Sequence, residues 1–146
     1  VNPRGAKSCA LTNNGSKFVH TLGSREEPLT SPFGASSFND ENTVRKTIEF
    51  RLPLDLVEYW DSFDAWAVTY LTCHSTRLFG KPLTIEQVRE GYKPCVTRRG
   101  TYAPTLRCKI NISGGNAVRC WSPDGERTAI PEEFRGLEPV LSLIPL

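Results

Sequence analysis

Between Tyr92 and Trp121 the chain reads YKPCVTRRGTYAPTLRCKINISGGNAVRCW. Six cationic side chains (Lys93, Arg98, Arg99, Arg107, Lys109 and Arg119) stand there beside three aromatics (Tyr92, Tyr102 and Trp121). No Asp or Glu falls between Glu90 and Asp124. Cations contact phosphates and flat rings stack on bases, so this mixture has the chemistry of a site for single-stranded nucleic acid. These nine residues are the candidate binding set. The solvated face of a half-exposed antiparallel strand has a similar composition, and lysine on a strand also blocks edge pairing. Composition alone leaves both readings open.

Position in a strand would decide how these groups are presented. From Leu106 the residues alternate, with Leu106, Cys108, Ile110 and Ile112 on one side and Arg107, Lys109 and Asn111 on the other. Ser113-Gly114-Gly115-Asn116 supplies residues that tolerate positive φ, as a tight hairpin turn requires. Ala117 to Trp121 then returns. With Gly114-Gly115 as a two-residue loop, Ile110 is expected opposite Arg119, and Cys108 opposite Trp121. That register gives an apolar face and a cationic-aromatic face.

Charge is distributed unevenly. Of a net charge of +2, residues 91–123 carry +6, so the remainder carries −4. Such segregation focuses potential on one surface. Five cysteines (9, 73, 95, 108 and 120) and two histidines (His20 and His74) show no metal-site spacing, so no structural metal is expected. Free thiols in a reducing, intracellular compartment are the expectation. No nucleophile elbow, metalloprotease or phosphate-loop motif occurs, and neither an enzymatic activity nor a cofactor is expected. No apolar run is long enough to span a membrane. The chain begins at Val1 and contains no methionine, which predicts a processed or partial product.

The elements that must position the basic stretch can be read in order. Residues 1–42, rich in Gly, Ser, Asn, Thr and Pro, predict an extended N-terminal arm with a short strand at Lys17 to Leu22. Ser31-Pro32-Phe33-Gly34 predicts a turn with Phe33 in the core. Residues 43–146 predict one domain. In its first strand Val44, Ile48, Phe50 and Leu52 share a face opposite Arg45, Thr47, Glu49 and Arg51, and Pro53 ends it. An amphipathic helix of about 20 residues follows. Its core stripe is expected at Leu56, Tyr59, Trp60, Phe63, Ala67, Tyr70 and Leu71, with Asp55, Glu58, Asp61 and Asp64 solvated between them. Thr84 and Gln87 form a capping box for a second, short helix that stops near Gly91. Short strands are expected at Arg127 to Ile130 and Val140 to Ile144. This order predicts a mainly β fold, an OB-like antiparallel barrel with a helical insert.

Ser31-Pro32-Phe33-Gly34, Leu78-Phe79-Gly80-Lys81 and Tyr102-Ala103-Pro104-Thr105-Leu106-Arg107-Cys108-Lys109-Ile110 occur in an order and spacing that resemble the single-stranded-DNA-binding proteins of phages and large DNA viruses. The resemblance covers roughly residues 31–144. It implies an OB fold with a helical insert that coats exposed single strands, and it casts Tyr102, Arg107 and Lys109 as strand-binding residues. The phage proteins carry an acidic C-terminal tail, whereas this sequence closes on an apolar segment at Leu146. The expected function is therefore non-enzymatic binding of single-stranded nucleic acid. The alternative is a structural accessory or linker subunit of a larger assembly, its basic face meeting an acidic protein partner.

Overall fold

The structure, a computed structural model, describes residues 11–36 and 44–143. Strands β1 (Thr12–Asn13) and β2 (Ser16–Lys17) form a small ribbon about Asn14-Gly15, both of which take positive φ. Strand β3 (His20–Leu22) follows, then β4 (Ala35–Ser36) and the long β5 (Arg45–Arg51). Pro53 closes β5 and serves as N-cap of helix α1 (Leu54–Cys73), with Asp55 in the first turn where the helix dipole favours an anion. Helix α2 (Ser75–Phe79) ends on left-handed Gly80. Helix α3 (Ile85–Gly91) opens with the expected Thr84–Gln87 capping box, both of its hydrogen bonds being present. Short β6 (Val96–Thr97) leads into β7 (Thr105–Asn111). Then come β8 (Cys120–Trp121), β9 (Arg127–Thr128) and β10 (Leu141–Leu143).

All strand pairs are antiparallel. The central sheet has the order β4-β5-β7-β6, while β10 pairs with β3 and β8 with β9 in separate two-stranded ribbons. The expected barrel is therefore corrected. Among the described residues the strands do not close, and three helices share the fold with several small sheets.

The expected hairpin is corrected too. Gly114 does turn the chain, at φ +82°, and Val118 N–H donates to Asn111 O at 2.8 Å. Pairing stops after that rung. Cys108 lies opposite Ile48 of β5 rather than Trp121, and Ile110 lies opposite Lys46 rather than Arg119. Cys120 and Trp121 pair instead with Thr128 and Arg127 around the Ser122–Gly125 turn.

One face of the central sheet supplies Ile48, Phe50, Val96 and Leu106 to a core completed by Val57 and Trp60 of α1 and by Leu22, Leu29, Leu52 and Phe134. Residues 11–36 thus contribute to the core, through Leu22 and Leu29, and to the sheet, through β4. Ser31 N–H donates to Leu137 O, and Gly136 N–H to Ser31 O. Gly34, at φ +70°, sits where a Cβ would come within 2.9 Å of Glu133 Oε1. Phe33, expected in the core, points outward at 61% exposure.

Helix α1 also differs from its expected face. Its buried positions are Val57, Trp60, Asp64 and Val68, while Tyr59 and Tyr70 of the expected stripe are exposed. Among the described residues no helix is long and apolar enough to cross a membrane.

Candidate nucleic-acid interface

The β5–β7 ladder decides which side chains share the sheet's outer face. Its register sets Arg45 opposite Asn111, Thr47 opposite Lys109, Glu49 opposite Arg107 and Arg51 opposite Thr105. These residues alternate with Ile48, Phe50, Leu106 and Cys108, which turn toward the core, so all eight lie on the side away from α1. Thr97 of β6 adds to the same face, opposite Thr105. Arg45, Arg51, Arg107 and Lys109 are exposed.

Glu49 stands amid these cations and is only 8% exposed. Arg99, from the loop after β6, reaches over it as a fork, with Nη2 to Oε1 at 2.8 Å and Nη1 to Oε2 at 3.1 Å. Thr105 Oγ1 donates to Oε2 at 3.0 Å. This bidentate geometry is the favoured one for a guanidinium on a carboxylate. One carboxylate thus offsets part of the repulsion among Arg45, Arg51, Arg99, Arg107 and Lys109, and the face stays strongly positive.

The nine candidate residues do not share one surface. Arg107 and Lys109 lie on the outer sheet face, and Arg99 covers Glu49 there. Tyr102 projects from the β6–β7 loop at 75% exposure, in a turn closed by its N–H to Arg99 O. Arg98 pairs with Asp61 of α1 at 2.6 Å. Tyr92 caps α3 on the helical side, where its hydroxyl donates to Asp64 Oδ1 at 2.7 Å, and Cys95 N–H donates to Asp64 Oδ2 at 2.9 Å. Lys93 borders a shallow groove of about 410 Å³ between α1 and α3. Arg119 and Trp121 belong to the segment around the separate β8–β9 ribbon, Trp121 being 57% exposed.

Sequence reasoning missed Arg45 and Arg51 as members of the site. The signal was present, because alternation had already placed them together on one face of β5. What was lacking was the pairing of β5 with β7.

Burial pushes the Cys108 thiol up to about 12, and burial followed by the Asp64 hydrogen bond pushes Cys95 up to about 12. Both are therefore protonated, weak nucleophiles at neutral pH. Cys73, Cys95, Cys108 and Cys120 are free thiols, and Cys9 lies outside the described residues. Among the described residues no group of three or more His, Cys, Asp or Glu is placed to hold a metal ion. No family model, curated protein or solved structure matches this chain.

Proposed function

We propose that the chain binds single-stranded nucleic acid, without catalysis, on the outer face of its central sheet. The observation that carries this reading is the ladder register, which adds Arg45 and Arg51 to Arg107 and Lys109 on one uncovered surface. Tyr102, at the loop beside that face, is the nearest candidate for base stacking. The reading agrees with the resemblance to single-stranded-DNA-binding proteins in residue chemistry. It replaces the groove of a closed OB barrel with the open face of a twisted sheet.

Counterion release gives the test. Binding to an unstructured oligonucleotide should weaken with salt, log K falling by roughly 0.7 per phosphate contacted for each decade of salt. Arg45→Ala, Arg51→Ala and Lys109→Ala should each weaken binding and flatten that slope by about one contact. Tyr102→Ala should cost ~1–3 kcal/mol with little change in slope. Lys93→Ala, on the helical side, should leave both unchanged. A Lys93 effect as large as that of Arg45 would move the site off the sheet face.

A second reading is favoured by Glu49. The face already holds a carboxylate in the Arg99 fork, so an acidic protein segment could be met by the same groups in an accessory subunit. No affinity for oligonucleotides even at ~20 mM salt, where screening is weak, would remove the first reading in favour of this one.

A further inference from the structure

The cations of the outer sheet face are spaced as a row. Four successive outward rungs of the β5–β7 ladder pair Arg45 with Asn111, Thr47 with Lys109, Glu49 with Arg107 and Arg51 with Thr105. Each rung carries a single strand-borne cation, and no rung sets two cations opposite each other. At the third rung Glu49 opposes Arg107, but the Arg99 fork already meets that carboxylate. With Arg99 counted, every rung keeps one net positive charge.

Outward residues on a strand recur at about 6.7 Å and paired strands lie about 5 Å apart, so the row is roughly 20 Å long and only two strands wide. The adjoining strands bring neutral residues to it, Ser36 of β4 opposite Thr47 and Thr97 of β6 opposite Thr105. Exposed Tyr102 stands beyond the Arg51 end. There Leu52 N–H donates to Pro104 O at 3.0 Å and ties the β6–β7 loop to the end of the ladder.

A straight row of this repeat matches one drawn-out sugar-phosphate backbone, whose extended spacing is roughly twice the ~3.4 Å rise of a stacked strand. A duplex backbone instead coils through more than half a turn over the same length, one turn being about 34 Å, and so leaves the row. We infer that the sheet takes a drawn-out single strand along the β5–β7 direction, about four phosphates at one per rung, and prefers weakly stacking, pyrimidine-rich strands. Both features rest on the outer face being the nucleic-acid site. Drawing a strand out separates neighbouring bases, which costs a pyrimidine run less stacking than an adenine run, and preferences of this origin are modest. Tyr102 then offers its ring to the base that leaves the row past Arg51.

Binding of oligo-dT of increasing length to the full chain, followed by fluorescence anisotropy at several salt concentrations, tests the row. The salt slope should climb up to about five nucleotides, which hold four phosphates, and level off near roughly 3. Longer strands should gain only from the extra registers they offer. Oligo-dA of equal length should bind a few-fold more weakly, and a duplex should show a smaller slope than oligo-dT. Arg45→Ala removes the end rung, so the plateau should arrive about one nucleotide earlier. Lys109→Ala removes an interior rung, so the slope should drop with the plateau length unchanged. Both positions are exposed, so folding should be unaffected. A slope still climbing at about ten nucleotides, oligo-dA bound as tightly as oligo-dT, or the same plateau length in both variants overturns the row while leaving the sheet face as the site. No binding of long oligo-dT even at ~20 mM salt removes the nucleic-acid reading itself, and the row with it.

Discussion

Glu49 and Asp64 are equally withdrawn from water, each 8% exposed, yet they are held in opposite ways. Glu49 faces the outer side of the sheet and is met by the Arg99 guanidinium and the Thr105 hydroxyl. Asp64 is on the buried side of α1 and is met by neutral donors, the Tyr92 hydroxyl and the Cys95 amide. Between them they anchor both ends of the segment from Tyr92 to Thr105 that leads the chain into β7. A buried carboxylate needs partners whichever side it takes. The difference lies in what those partners can do when the carboxylate is gone. Arg99, with a side chain 55% exposed, can turn to solvent, whereas the donors on Asp64 are partly enclosed and cannot.

Removing Asp64 is therefore the harsher test. Asp64→Ala strands the Tyr92 hydroxyl and the Cys95 amide, and an unsatisfied buried group costs ~1–3 kcal/mol. The expected loss is about 2–4 kcal/mol in urea unfolding, with little dependence on salt because no cation is involved. A loss under about 0.5 kcal/mol, the size of an ordinary surface change, would mean that Asp64 is not an anchor.

Alkaline pH loosens the same side next. The folded chain holds the Cys95 and Cys108 thiols up to about 12, and burial followed by the Asp64 hydrogen bond raises Tyr92 above its ordinary range. In the unfolded chain these thiols lose their protons from near 9. Above that pH the folded state binds more protons than the unfolded one, so stability falls as pH rises. Melting temperature followed from about pH 8 to about pH 11 should decline, and less steeply in Cys108→Ala than in the parent once the thiol is absent. A flat profile would remove the link between this cluster and stability.

The contrast between the two carboxylates was only half legible in the sequence. The alternation that puts Glu49 beside Arg45 and Arg51, the length of α1 and the Thr84–Gln87 capping box all follow from local pattern, because period and capping act over a few residues. Asp64 reads as one more solvated acid of an amphipathic helix. Its donors come from Tyr92 and Cys95, 28 and 31 residues away, and nothing near Asp64 announces them. The partner of β7 was misread for a related reason. Ser113–Asn116 carries good turn chemistry and does turn, but a long ladder to β5 buries Ile48 and Phe50 beside Leu106, and that packing outweighs a local return strand. On α1 the aromatics gave the period correctly and the facing in part. Trp60 faces the core as expected, with Leu56 and Phe63 packed against it, but Val57, Asp64 and Val68 join the buried side while Tyr59 and Tyr70 are exposed.

The smallest effect belongs to the Glu49–Arg99 pair. Its two short hydrogen bonds suggest strength, but the half-exposed guanidinium is screened by solvent, and such pairs are worth at most about 1 kcal/mol. A double-mutant cycle of Glu49→Gln and Arg99→Gln should return a coupling near that value at low salt, shrinking toward zero at ~1 M. Glu49→Gln keeps an acceptor for the Thr105 hydroxyl, so the cycle isolates the charge from the rest of the contact. The same substitution removes the one carboxylate identified on the outer face and releases Arg99 toward solvent. If phosphates bind there, oligonucleotide affinity should rise and the salt slope should steepen by about one contact, roughly 0.7. A coupling that persists undiminished in high salt would make Glu49 as firmly enclosed as Asp64, and the distinction between the two sides of the sheet would fall.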